Sequence, residues 1–308
     1  MERDAIIGWL LGGDPAIRWQ VLRDLVETPA HEVHSERQRV AGEGWGRALL
    51  ARQRADGTWG SFGGDEAAAD HGWMITIRTL TLLKDLGAHP ADPAVVAAIA
   101  RVKPLRFAWH DNRRFFDGET EACLNGRILG LGAYFGAASQ SLLHRMLGEQ
   151  LEDGGWNCDA PPSVRSSFHS TLCVLEGLLA WEQEFGADPA VAAARARAEE
   201  YLLTRRLQRR LGTGEIVDPR FHEFAFHPNW RYDLLRALDY FRAAGGAPDE
   251  RMSEAIDLLR ARRTPDGRWL LDRLEPGPIG LFTETAEGAP SRWNTLRALR
   301  VLDWWNAA

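Results

Sequence analysis

Three side chains near the middle of the chain are of the types that hold a transition metal. Glu121 and Cys123 stand two residues apart, and His169 follows further on. Zinc accepts carboxylate, thiolate and imidazole together, and a catalytic zinc keeps one position open. Cys158 is either a fourth ligand or a substitute for Glu121. Cys173, one helical turn beyond His169, reads as a small core residue. Arg127 lies four residues beyond Cys123, and Arg78 seven beyond His71, so each pair shares one helical face. Arg127 and His71 would then flank the open position and hold an anionic group. The same spacing puts Glu176 on the His169 face, as an acid–base group or an arginine's partner. Asp233, after Tyr232, is either a catalytic carboxylate or a helix-start residue favoured by the helix dipole. Trp73, Trp230, Tyr232 and Trp293 would line a cavity wall and contact an apolar or cationic ligand.

These residues need a frame, and the frame is repetitive. Gln53-Arg-Ala-Asp56-Gly57-Thr-Trp59 recurs as Gln150-Leu-Glu-Asp153-Gly154-Gly155-Trp156, and in worn form as Arg263-Thr-Pro-Asp266-Gly267-Arg-Trp269. Asp-Gly marks a turn, and the following Trp can fold back over the helix it ends. A second pattern opens other helices: Trp19 with Arg23, Trp73 with Arg78, Trp230 with Arg236, Trp293 with Arg297. Their arginines either form an anion pocket with Arg127 or pair with outer-helix or turn carboxylates such as Asp56 and Asp153. Helices apolar on several faces are expected to start near residues 16, 71, 120, 166, 230 and 292. More amphipathic helices are expected over about 35–53, 92–103, 138–150, 189–210 and 250–262. Six inner helices ringed by about six outer ones describe an all-α, (α/α)6 barrel or toroid, in one domain over 1–308. An open solenoid of the same pairs is the alternative.

The Gln-x-x-Asp-Gly-x-Trp turns at Gln53–Trp59 and Gln150–Trp156 resemble the QW motif of the triterpene cyclases. The chain also resembles the β subunits of protein prenyltransferases, which share the α/α toroid. The resemblance implies an isoprenoid or lipid-like substrate in a central cavity. It also implies zinc held by Glu121, Cys123 and His169, with His71 at the diphosphate end. Two departures matter. No Asp-x-Asp-Asp motif, the proton donor of triterpene cyclases, occurs anywhere. The carboxylate is Glu121 where the prenyltransferases have Asp.

Composition sets the outer bounds. The 308 residues include 43 acidic and 37 basic ones, a net charge of −6, which argues against nucleic acid as a partner. Ala and Leu far outnumber Val and Ile, which excludes an all-β fold. Three cysteines make no disulfide framework, and no apolar run is long enough for a spanning helix, so a soluble, cytoplasmic protein is expected. The sequence has neither a phosphate-binding P-loop nor a GxSxG elbow. Two further functions stay open. One is a carbohydrate-active barrel using Glu121 with Asp233 or Glu176. The other is a toroid that binds a small molecule without catalysis.

Overall fold

The computed structural model describes residues 2–60, 66–107, 110–274, 280–281, 283–284 and 286–307, without the side chains of residues 2 and 66–71. Among these residues the chain is helical. The only ladder is a pair of two-residue antiparallel strands, β1 (Arg106–Phe107) and β2 (Arg113–Arg114). No described helix is long and apolar enough to cross a membrane.

Two compact units divide the chain. The first holds residues 1–51, 85–89 and 203–308. It contains α1 (Glu2–Leu11), α2 (Pro15–Asp24), α3 (Ala30–Gly42), α4 (Gly44–Leu50), α11 (Leu234–Ala244), α12 (Ser253–Ala261) and α13 (Arg292–Asn306). Asp14 starts α2 by accepting the Ala16 N–H, with Pro15 at the position where its missing N–H costs nothing. Helix α13 packs against both α2 and α11. The polar seam between them is a buried ion cluster: Arg300 binds Asp239 and Asp24, and Arg242 and Arg297 also lie against Asp239. Burial opposes ionisation of Asp239, but the three guanidinium groups outweigh it and hold the carboxyl well below the usual range.

The second unit holds residues 52–84 and 90–202. It contains most of α5 (Glu66–Leu86), then α6 (Pro93–Val102), α7 (Ala122–Tyr134), α8 (Gln140–Gly148), α9 (Phe168–Phe185) and most of α10 (Pro189–Thr204). Helices α7 and α9 are its densest contact, and glycines make it so. A Cβ on Gly177 would stand 2.1 Å from the Gly126 carbonyl oxygen, and one on Gly126 2.5 Å from that of Cys173.

The three Asp-Gly turns are built alike. The Trp59, Trp156 and Trp269 backbone N–H groups donate to Thr76, Thr171 and Thr295, at 3.3, 3.1 and 3.0 Å. Each threonine belongs to the next apolar helix. The indole N–H of Trp156 donates back to Met146, and that of Trp269 to Leu259, in the helices their turns close. Gln53 and Gln150 each bridge their own turn to the following amphipathic helix, at Ala98 and Ala194. The turn tryptophans are therefore structural, as their buried indoles require.

The apolar helices start close to their expected positions, with one correction. Trp230 does not open a helix. It lies four residues before α11, in a turn, 43% exposed beside Arg231. The helix starts where Asp233 accepts the Arg236 N–H, so the capping carboxylate sets the boundary and not the tryptophan.

Candidate metal centre

The loop before α7 is held from inside. Asn125, fully buried, accepts the Glu119 N–H and donates to the Glu119 carbonyl. Glu119 is itself buried; its carboxylate accepts the Glu121 N–H at 2.5 Å and the Thr120 hydroxyl at 3.0 Å, and lies 3.5 Å from His110. Glu121 then occupies the N-cap of α7, with Cys123 in the first turn.

The loop before α9 brings in a second sulfur. Asn157 anchors that loop by donating to Ser163 and to the Arg165 carbonyl. Cys158 beside it accepts the Cys123 N–H at 3.4 Å, one of the N–H groups that a helix leaves without an internal partner. Its sulfur also lies 3.2 Å from the hydroxyl of Ser170, in the first turn of α9. One sulfur thus sits between the starts of two helices, where the dipoles favour negative charge.

Glu121, Cys123 and Cys158 place one ligand atom each within 4.8 Å of one another. The Cys123 sulfur lies 3.6 Å from the Glu121 carboxylate. Donation from the Cys123 thiol, more than burial, separates the two sulfurs. It draws the Cys158 thiol down to about 7 and pushes Cys123 well above the usual thiol range. Burial and the neighbouring Glu119 push the Glu121 carboxyl up. Such a cluster is short of positive charge. Tetrahedral zinc with bonds of about 2.3 Å to sulfur sets its ligand atoms roughly 3.8 Å apart. The three donors fit that ion in type and lie within about 1 Å of that spacing.

His169 is not one of this set. It stands half-buried in the first turn of α9, and the residue of that turn that meets the sulfur is Ser170. One residue is about 100° of helix rotation, which is enough to change faces. Cys173 is fully buried and also outside the set. Sequence reading named Cys158 but missed Glu119, Asn125, Ser170 and His110. Glu119 and Asn125 flank the ligands at two-residue spacing, whereas only the folded loops bring in His110 and Ser170.

The other candidates are distributed as follows. Arg127 is 7% exposed on α7, and its Nε has no partner among the described residues. Glu176 is half-buried on α9. Trp73 packs edge-on against Phe107. The side chain of His71 lies outside the described residues. In the first unit, Tyr232 spends its hydroxyl on the Leu207 carbonyl. Asp233 caps α11 through Oδ1, while its buried Oδ2 has no partner among the described residues, and burial raises its carboxyl. Trp293 stacks on Phe226 at 4.0 Å. Among the helix arginines, Arg23 binds Asp24, Arg297 donates to the Ala225 carbonyl and lies against Asp239, and Arg236 donates to the Arg231 carbonyl. Asp56 and Asp153 serve Thr58 and Ser166.

No protein-family model and no curated protein matches this chain. Among solved structures it is similar to the type II terpene cyclase MstE from Scytonema, with a TM-score of 0.45 and 18% identity over 94% of this chain and 88% of that one. A second MstE structure, a variant in complex with geranylgeranyl dihydroxybenzoate, gives the same TM-score and identity over 94% of this chain and 85% of that one.

Proposed function

We propose that the chain is an enzyme of the terpenoid cyclase and prenyltransferase type. In this reading Glu121, Cys123 and Cys158 hold one zinc ion, and Arg127 receives an anionic group of an isoprenoid or similar lipid-like substrate. The observation that carries it is the convergence of a carboxylate and two thiols at the start of α7, with a buried guanidinium one turn deeper on the same face. Zinc bound there would supply a Lewis acid and keep the sulfurs as thiolates.

The chain's own residues divide the remaining work. Glu119 fixes the backbone of Glu121 and so aims its carboxylate. The Cys123 N–H and the Ser170 hydroxyl beside it favour the ionised form of the Cys158 sulfur. Arg127 has no carboxylate of this chain against it in the described residues, so its charge is available to a phosphate or carboxylate. Helices α7 and α9 are apolar over most of their length, as the surroundings of a hydrocarbon-binding site would have to be. The QW-like turns at Gln53–Trp59 and Gln150–Trp156 support the isoprenoid assignment.

Metal analysis of the purified, reduced protein tests the reading. One zinc per chain is expected, lost on Cys123→Ser and on Cys158→Ser and kept on Cys173→Ser. A wild-type protein that retains no zinc in micromolar free metal overturns it and leaves the non-catalytic toroid.

A further inference from the structure

We propose that Cys123 and Cys158 form a reversible disulfide with a peroxide as oxidant, so that the site alternates between a metal-binding dithiol and a metal-free disulfide. The effect on metal rests on the zinc reading above; the thiol chemistry does not.

The argument begins with position. The two sulfurs lie within 4.8 Å of each other, and all three cysteines of the chain are free thiols. A disulfide needs about 2.05 Å between sulfurs. The approach asks for movement on one side only. Cys123 is fixed in the first turn of α7, and α7 is locked to α9 by the Gly126–Gly177 contact. Cys158 sits in a loop, where a change of χ1 or a small backbone shift is cheap.

The two cysteines also differ in access. Cys158 is half-buried, whereas Cys123 is 7% exposed. A small oxidant therefore meets Cys158 first, and its sulfur is the one with a helix N–H and a hydroxyl beside it. The Cys158 thiolate attacks one peroxide oxygen. The S–O bond forms, the O–O bond breaks, and hydroxide leaves to be protonated as water. The Cys123 sulfur then attacks the sulfenic sulfur; the S–S bond forms, the S–O bond breaks, and a second water leaves. In sum, two thiols and one hydrogen peroxide give one disulfide and two waters. The sulfurs lose two electrons and the peroxide gains them. A low-molecular-weight dithiol reverses the change. Cys173, fully buried and outside the cluster, takes no part.

The disulfide would remove two of the three ligands, and the remaining carboxylate would not retain zinc. Bound zinc, in turn, occupies both sulfurs and should shield them from peroxide.

The test uses the full chain, reduced, made metal-free with a chelator and treated with one equivalent of hydrogen peroxide. Free thiols are expected to fall from three to one. The intact mass should drop by two hydrogens, and peptide mapping should join the Cys123 and Cys158 peptides; dithiothreitol should restore all three thiols. A zinc-loaded sample should keep its thiols under the same treatment. Cys173→Ser should still form the bond and Cys158→Ser should not. Mapping of the wild-type protein gives the answer even where a variant fails to fold. Sulfinic or sulfonic acid at Cys158, a bond to Cys173, or three surviving thiols in the metal-free protein overturns the proposal. The two readings fail separately. A disulfide that forms in a protein unable to bind zinc sinks only the metal reading, and zinc binding without disulfide formation sinks only this one.

Discussion

Gly177 meets Gly126 so closely that a methyl group on either would overlap backbone of the other's helix. That relationship sets the separation of α7 and α9, and so of Cys123 and Ser170. Gly177→Ala is expected to destabilise the protein by at least the roughly 1–3 kcal/mol of ordinary overpacking, because backbone must give way. Gly130→Ala, whose Cβ would meet Gly177 at 3.3 Å, should cost less. Paired thermal melts check the order. Equal losses would show that the helices part easily.

The turn tryptophans make a second expectation. Trp156→Ala should cost about 3–5 kcal/mol, since the indole is fully buried. Thr171→Val keeps the shape but strands the Trp156 N–H, at about 1–3 kcal/mol. Urea unfolding of both variants reads these values. A Thr171→Val protein as stable as wild type would mean that the turn does not depend on its forward bond.

Arg127 offers a test that separates stability from function. Its buried Nε has no partner among the described residues, a cost to the ligand-free fold. Arg127→Met should therefore leave the melting temperature unchanged or raise it, while weakening binding of an isoprenoid diphosphate by tenfold or more, about 1.4 kcal/mol. Calorimetric titration and melting of the same sample decide it. A large loss of stability would place the guanidinium in the structural core instead.

Glu284 gives the pH dependence. It accepts from Ser291 and from the Trp293 N–H at the start of α13, and burial pushes its carboxyl up from 4.5 to about 7. The folded protein thus binds the proton more tightly than the unfolded chain does. Its contribution is full below pH 4.5 and is lost as pH rises to about 7, a change on the order of 3 kcal/mol. Wild-type stability should fall across that window relative to Glu284→Gln. Parallel pH profiles of the two proteins would refute the assignment.

The helices were legible in the sequence because apolar periodicity and turn residues are local signals. Trp156 announced its turn, and the helix starts at Pro15, Ala122, Phe168 and Arg292 followed from what stands around them. The site was legible only in part. Glu121 and Cys123 share one helix start, so their proximity is a matter of spacing. Whether His169 or Cys158 completes the set depends on loop conformation and on one step of helix rotation, which no periodicity records. Trp230 misled for a related reason: a tryptophan near a helix start looks the same inside the first turn or four residues ahead of it.

The loop that carries Cys158 is pinned at its neck. Trp156 donates to Thr171, and Ser167 donates back to the Trp156 carbonyl, so both ends are tied whatever lies between them. Insertions, deletions and substitutions over 157–165 can then be absorbed without shifting α9. One donor of the candidate centre is thus mounted on an exchangeable part, while Glu121 and Cys123 belong to the rigid frame. A lineage could alter which ion or ligand the centre prefers by rewriting nine loop residues and leaving the scaffold untouched.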